Sequence, residues 1–423
     1  MASDAYAALE QNSSLAERVG GLVGTDRVRA PEGIEAVCAG IIVEPANAEE
    51  VAAIVRFCET DRVALAPLGA GRTLSQIRRV PVAIGVSLSR MAKIVDCEPG
   101  DMTVVAEAGI TIGALNATLA QYGQRLPVDP CNPGATSIGS LIGAAHAGPL
   151  RLSEGTARDL TIGIRIVGHD GTIVRGGGRV VKNVAGYDLM KVVGGAFGTL
   201  GIAIEAAFKV RPIPPAYGLE VVRFDDAKAA FEAAHALNEA LPLAHLEVMS
   251  PPFGERLGSG TGFVLAAGFS GIQDEVDHFA KRIRGITGGG KALEAADAQS
   301  GYERLRDLHS NRAPLAARIA VPPARLSDAI QRCSAAFVAH AGSGVADISL
   351  DQLVGDRDHV ARWREIANSA GGHLRILGAV PSIRGEVDFF DTPNPGALKL
   401  MRRLKATFDP AGIFNPGCFV GGI

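Results

Sequence analysis

Three glycine clusters, each beside a short apolar run, constrain this chain more than any other feature of its sequence. The first follows the strand-like VALAPLG and reads Pro67, Leu68, Gly69, Ala70, Gly71, Arg72, Thr73. Successive backbone N–H groups in such a turn form a nest for an anion. Glycine lets the main chain approach oxygens that a Cβ would hold off. The segment is no GxGxxG fingerprint, because Leu74 stands where the third glycine belongs; a pyrophosphate cradle and a plain strand-to-loop turn both fit it. The second cluster, TSIGSLIGAAHAGP (136–149), sets Gly139, Gly143, Ala144, Ala145 and Ala147 together. The third, VVGGAFGTLGI, holds Gly194, Gly195, Gly198 and Gly201. Both fit a flat ligand lying against bare backbone, and both also fit close helix-to-strand packing. The chain has 52 glycines in 423 residues, well above the usual ~7%, and they gather instead of repeating.

From residue 40 to 123 apolar runs alternate with helical windows such as AEEVAAIVRFCETD, whose Val51, Ile54, Val55 and Cys58 share one face. This predicts parallel-type strands with crossover helices. After RPIPPAYG (211–218) longer strand and helix units come in two similar sets, which predicts one antiparallel sheet with its helices on a single face. The expected organisation is a domain over 1–214, a second over 215–390, and a segment over 391–423 whose apolar end, GIFNPGCFVGGI, packs back on the first.

Composition narrows the function classes. A formal net charge of −3, with 47% apolar and 21% charged residues, excludes a disordered chain and a general nucleic-acid binder. The six cysteines are scattered without a CxxC pair, so reduced, buried thiols are expected and a cysteine-held metal or cluster is not. The N-terminal stretch has no basic, apolar leader, and no window reaches 18 apolar residues. A soluble, cytoplasmic chain is expected, reaching the inner membrane only peripherally through a partner.

Taken in order, PLGAGRT, VVAEAGITIGALNATLAQYGQRLPVDP, TSIGSLIGAAHAGP, EGTARDLTIGIRIVGHDGTIV, GGGRVVKNVAGYDLMKVVGGAFGTLGI and FDPAGIFNPG resemble the vanillyl-alcohol-oxidase type (PCMH-type) of FAD-linked oxidoreductases, over about residues 40–212 and 395–420. Within it, KNVAGYDL (182–189) and the chain length look most like the FAD-binding E subunits of bacterial glycolate oxidases. The resemblance implies an α+β fold in which two subdomains hold FAD and a ferredoxin-like antiparallel cap covers the flavin. It also implies roles. Pro67, Leu68, Gly69, Ala70, Gly71, Arg72 and Thr73 would cradle the pyrophosphate. Pro130, Ser137, Gly139, Ser140 and Gly143 would line the cofactor, Gly201 and Ile202 would meet it by backbone, and Asn415 would close over it. No His or Cys matches a covalent flavin link, so the FAD is expected to be non-covalent. The departures are Ser140 for a usual glycine, Ala145 for a common Asn, and Phe197 for a frequent acid.

Oxidation of a hydroxy acid on a flavin needs a base for the hydroxyl proton and a cation for the carboxylate. The metal-linked HxxxGDGNxH motif of catalytic relatives is reduced here to His340, Ala341, Gly342, Ser343, Gly344, Val345, Ala346, Asp347, so no metal is expected. The catalytic candidates are Arg318, costly in its apolar strand unless paired or facing a ligand, Tyr187 and His146. His373 and Arg375 share a strand face and are expected at the surface. Three functions follow: an FAD subunit oxidising glycolate or a related 2-hydroxy acid beside a sister flavoprotein subunit and an iron–sulfur subunit; an FAD-holding structural or relay subunit; or a stand-alone alcohol oxidase.

Overall fold

The computed structural model describes residues 2–70, 74, 81–178, 188–288, 291–293, 295–308, 313–352, 356–380, 388–391 and 394–423. Helix α1 (Ala2–Val23) precedes a four-stranded sheet of order β1-β2-β4-β3, built from Val28–Arg29, Ala39–Val43, Leu65–Leu68 (β3) and Val82–Ser87 (β4). Strands β2, β4 and β3 run parallel, as a crossover through α2 (Ala48–Asp61) requires. Asn47 starts α2 by accepting the Glu50 N–H at 2.9 Å, and Arg62 ends it in the left-handed region at φ 57°. Val51, Ile54, Val55 and Cys58 are fully buried on its inner face.

Parallel pairing ends there. The run MTVVAEAG belongs instead to an antiparallel sheet of order β5-β6-β10-β8-β9, formed by Ile94–Glu98, Thr103–Glu107, Thr161–Val167 (β8), Ile173–Gly177 (β9) and Ile202–Lys209 (β10). This corrects the expectation of parallel strands throughout. Strand β6 takes its partner from β10, some hundred residues later, and an apolar run buried on both sides carries no mark of its neighbour's direction. Helices α3 (Ile112–Leu119) and α4 (Ile138–Gly143) cover this sheet, and the short pair β7 (Gln124–Arg125) and β11 (Arg211–Pro212) follows at its end. Three further short helices, α5 (Arg151–Glu154), α6 (Ala157–Leu160) and α7 (Leu189–Val193), complete the first half.

The second half is one eight-stranded antiparallel sheet, β15-β12-β14-β13-β17-β18-β16-β19. Its strands are Ala216–Phe224 (β12), His245–Met249 (β13), Phe263–Gly271 (β14), Lys291–Leu293 (β15), Leu315–Ala320 (β16), Ala336–His340 (β17), Val345–Leu350 (β18) and His373–Ala379 (β19). One face packs on α8 (Ala227–Ala240), α10 (Gln273–Thr287), α12 (Pro323–Cys333) and α13 (Asp356–Ser369), around the fully buried Trp363. The helices do not keep to that face. Helices α9 (Pro251–Arg256) and α11 (Ala295–Leu308) pack through Phe253, Ala298 and Leu305 on Met249, Val264 and Ala266, which alternate with the residues of the first face.

After α14 (Pro395–Phe408) the chain returns to β3: Leu65 N–H donates to the Ile413 carbonyl, Asn415 N–H to the Leu65 carbonyl, and Ile413 and Phe414 are buried in the first core.

Candidate functional site: a backbone-lined cavity under a cationic sheet

A cavity of about 440 Å³ lies where the glycine clusters, the 129–148 loop and the eight-stranded sheet meet. Pro67, Leu68, Gly69 and Ala70 leave β3 along one wall. Ser137 caps α4 by accepting the Ser140 N–H at 3.2 Å, and Gly139 and Ser140 of its first turn line the same space with Gly143 at its end. The small size of these residues is enforced. A Cβ at Gly69 would come within 2.9 Å of Ser137 Oγ and 3.1 Å of Ser140 Cβ, and one at Gly198 within 2.3 Å of Pro67 Cγ, while Gly143 opens on empty space. Ser140 therefore fits because position 69 has no side chain.

The two other departures from the resembled pattern, Ala145 and Phe197, both adopt left-handed backbone, at φ 51° and 55°. Such φ costs a bulky residue about 1–2 kcal/mol. At Phe197 it is held by the Phe197 N–H bond to the Gly143 carbonyl (2.8 Å) and by Asn415 Nδ2 donating to the Phe197 carbonyl. The ring it aims at the cavity packs on Phe390 and Phe419, with centroids 5.4 and 5.9 Å away.

The sheet supplies the charged wall. Because Ala317 and Ile319 face the helices, Arg318 faces the other way, and its register partners are Asp347 on β18 and Arg375 on β19. Arg318 forks onto Asp347 through Nε (2.6 Å) and Nη2 (2.8 Å). Burial alone would lower its pKa, but the carboxylate overcomes this and the net direction is upward. Arg318 thus lines the cavity with most of its charge already committed.

Arg375, expected at the surface, lines the cavity too. Its guanidinium stands 5.4 Å over the Phe197 ring and has no hydrogen-bond partner among the described residues. Burial, and then the like charge of Arg318, push its pKa down to about 10, so it stays cationic at neutral pH. The covering half of the chain, which sequence alternation alone cannot reveal, makes the difference. His373, two residues away, is exposed.

His146 lines the cavity, as do Pro130, Gly201 and the residues named above. Two expected lining residues do not. Ile202 is fully buried in the core as the first residue of β10, and Asn415 is fully buried, with its Nδ2 donating to the carbonyl of Phe197, which does line the cavity. Gly71, Arg72, Thr73 and Tyr187 lie outside the described residues. His340, the histidine of the reduced motif, is 2% exposed, bonds Glu247 through Nδ1 at 2.9 Å, and does not line the cavity. Among the described residues no group of three or more His, Cys, Asp or Glu could hold a metal ion, and no helix is long and apolar enough to cross a membrane.

Sequence reasoning also missed a polar hinge between the halves. Asp129 accepts the Gly148 N–H (3.1 Å), the Leu150 N–H (2.8 Å) and the Tyr302 hydroxyl (2.9 Å) from α11. Burial raises its pKa to about 6 against those bonds. Further along α11, Asp307 accepts the Asn132 N–H at 3.0 Å. Both are acids in ordinary-looking contexts, and only the tertiary fold marks them.

The family described as FAD binding domain matches residues 39–177, and that described as FAD linked oxidases, C-terminal domain, matches 390–418. The chain is an FAD-linked oxidoreductase. It is similar to "Glycolate oxidase subunit GlcD" of Bacillus subtilis, 26% identical over 89% of this chain and 88% of that one. It is also similar to "Glycolate oxidase subunit GlcE" of Escherichia coli, 29% identical over 77% and 83%. Both subunit types match, so the likeness does not single out the E subunit. The 4-ethylphenol oxidase from Gulosibacter chungangensis, solved with isoeugenol, superposes over 96% of this chain and 97% of its own with TM-score 0.74 at 16% identity, which shows the shared α+β fold of the oxidoreductase. The cavity fits the cofactor: its walls are backbone and small residues where an added Cβ would collide, and Gly69, Ala70, Ser137, Ser140 and Gly143 are placed to hold FAD.

Proposed function

We propose that the oxidoreductase oxidises glycolate or a related small 2-hydroxy acid, and that its electrons pass through a sister flavoprotein subunit and an iron–sulfur subunit of one complex in the cytoplasm or at the inner membrane. The observation that carries the reading is Arg375: a half-buried guanidinium that lines the cavity and has no hydrogen-bond partner among the described residues suits one carboxylate. FAD, when bound, supplies the hydride acceptor. Arg375 holds the acid group of the substrate. Arg318, its guanidinium spent on Asp347, adds little net charge to the wall and leaves Arg375 as the cation turned to the acid group. His146 is the lining residue suited to take the hydroxyl proton. Both similar glycolate oxidase proteins are subunits, which supports a complex with partners.

The anaerobic absorption spectrum of the purified chain, before and after glycolate or D-lactate, tests this. The expected result is a flavin band that bleaches. A band that stays oxidised moves substrate chemistry to the sister subunit and leaves this chain a relay, a reading that the burial of His340 against Glu247 favours. Bleaching by simple alcohols but not by acids would point to a stand-alone alcohol oxidase.

A further inference from the structure

A second hollow, an open cleft of about 930 Å³, lies on the outer side of α11, with Arg256, Ser300 and Arg304 on its walls. Arg306 and Asp307 line both this cleft and the flavin cavity. At that point the partition is one side-chain pair thick: Arg306 Nε and Nη2 each reach Asp307 at 3.0 Å, and the same carboxylate accepts the Asn132 N–H from the cavity loop. The Arg306 side chain is 16% exposed and that of Asp307 45%, so the arginine is the more deeply set of the pair.

We propose that this cleft is the entrance by which a small carboxylate reaches the flavin cavity, with the Arg306–Asp307 pair as its threshold. The ligand class rests on the function proposed above; the route does not. Arg306 is paired with its own chain neighbour, so it can exchange one carboxylate for another by a side-chain rotation without parting the two halves. The ligand is then handed from Arg306 to Arg375, which lines the same cavity. An entrance has a signature that a binding or purely structural residue lacks. Narrowing it raises one barrier crossed in both directions, so association and dissociation slow together and affinity stays put.

Ser300 and Arg304 are exposed on α11 and touch the cleft alone, so Ser300→Trp and Arg304→Trp narrow it without entering the flavin cavity. The probe is oxalate, a carboxylate with no hydrogen to give up, followed by stopped-flow perturbation of the flavin spectrum. In both variants the two rate constants are expected to fall at least about tenfold with Kd within about twofold of wild type. Wild-type rates in both variants would overturn the entrance. So would a Kd that moves with an unchanged association rate. If wild type shows no oxalate response, the carboxylate reading fails by itself, and bleaching by dithionite, a small anion that reduces flavin without a substrate site, tests the route: slower bleaching in both variants sustains it and equal bleaching overturns it.

Discussion

Arg375 and Asp129 show how burial gives two ionisable groups opposite tasks. Burial strains the cation of Arg375, but not enough to discharge it, and the position where an acid is common in the resembled family offers it an aromatic face instead. Arg375→Met should retain FAD and weaken binding of a carboxylate by about 10- to 100-fold, the worth of a charge-assisted hydrogen-bonded pair at ~1.5–3 kcal/mol. Arg375→Lys should recover part of this, because a point charge lacks the guanidinium fork. A titration of the flavin spectrum with oxalate reads both, and unchanged affinity in the Met variant would leave Arg375 a packing partner of Phe197. Asp129 is the reverse case: its folded pKa of about 6 lies above the ordinary 3.8. Between those values the folded protein holds a proton that the unfolded chain has released. The stability this lends is therefore full below about pH 4, falls as pH rises to about 6, and is flat beyond, a change of about 3 kcal/mol. In Asp129→Asn that slope should vanish. The gap in melting temperature between variant and wild type should then shift in the variant's favour from pH 4.5 to 7. A constant gap would mean that Asp129 titrates as in water.

The elements act by what their junctions forbid. Gly198 joins the third glycine cluster to β3 at φ 69° with Pro67 directly above it. Gly198→Ala should cost about 1–2 kcal/mol for the left-handed backbone alone, and the contact with Pro67 would displace a cavity wall. Reduced flavin per protein is the expected result, read as the ratio of visible to ultraviolet absorbance; full loading would show that the wall yields. Junctions of this kind were legible in the sequence only as close backbone approaches, since the glycine clusters fitted a ligand cradle and plain packing alike. Arg318 was legible as a cation that must be paired or facing a ligand; it is paired with Asp347 and lines the cavity. Strand direction in β6 and the two-sided helix packing of the second sheet were not legible, since each depends on a partner far along the chain. Arg375 went unread for a related reason. Alternation groups residues by face, but only the covering half decides which face is wet. The acids Asp129 and Asp307 carried no local signal.

At the scale of the whole molecule, the cavity is closed by a tail that is last in sequence and central in space. Residues 409–423 give β3 its outer partner through Leu65 and Ile413, hold the Phe197 carbonyl through Asn415, and place Phe419 against Phe197 and Phe390. Lys405, with its side chain 14% exposed, donates to Asp409 and to the carbonyls of Phe414 and Thr199, so it too depends on the tail. Removing 409–423 uncovers Ile413 and Phe414 partners worth roughly 1.5–3 kcal/mol per side chain and strands a buried amine. Against the 5–15 kcal/mol typical of a folded protein, that chain should fail to give a soluble flavoprotein. Removing only 418–423 leaves Ile413, Phe414 and Asn415 in place but strips Phe419 from the aromatic wall. This shorter deletion should keep far-ultraviolet circular dichroism close to wild type while losing flavin, because the ring that carries Arg375 is no longer held from behind. A shorter chain that keeps both its fold and its full flavin complement would show that Asn415 alone holds Phe197, and would move closure of the cavity from the end of the tail to its beginning.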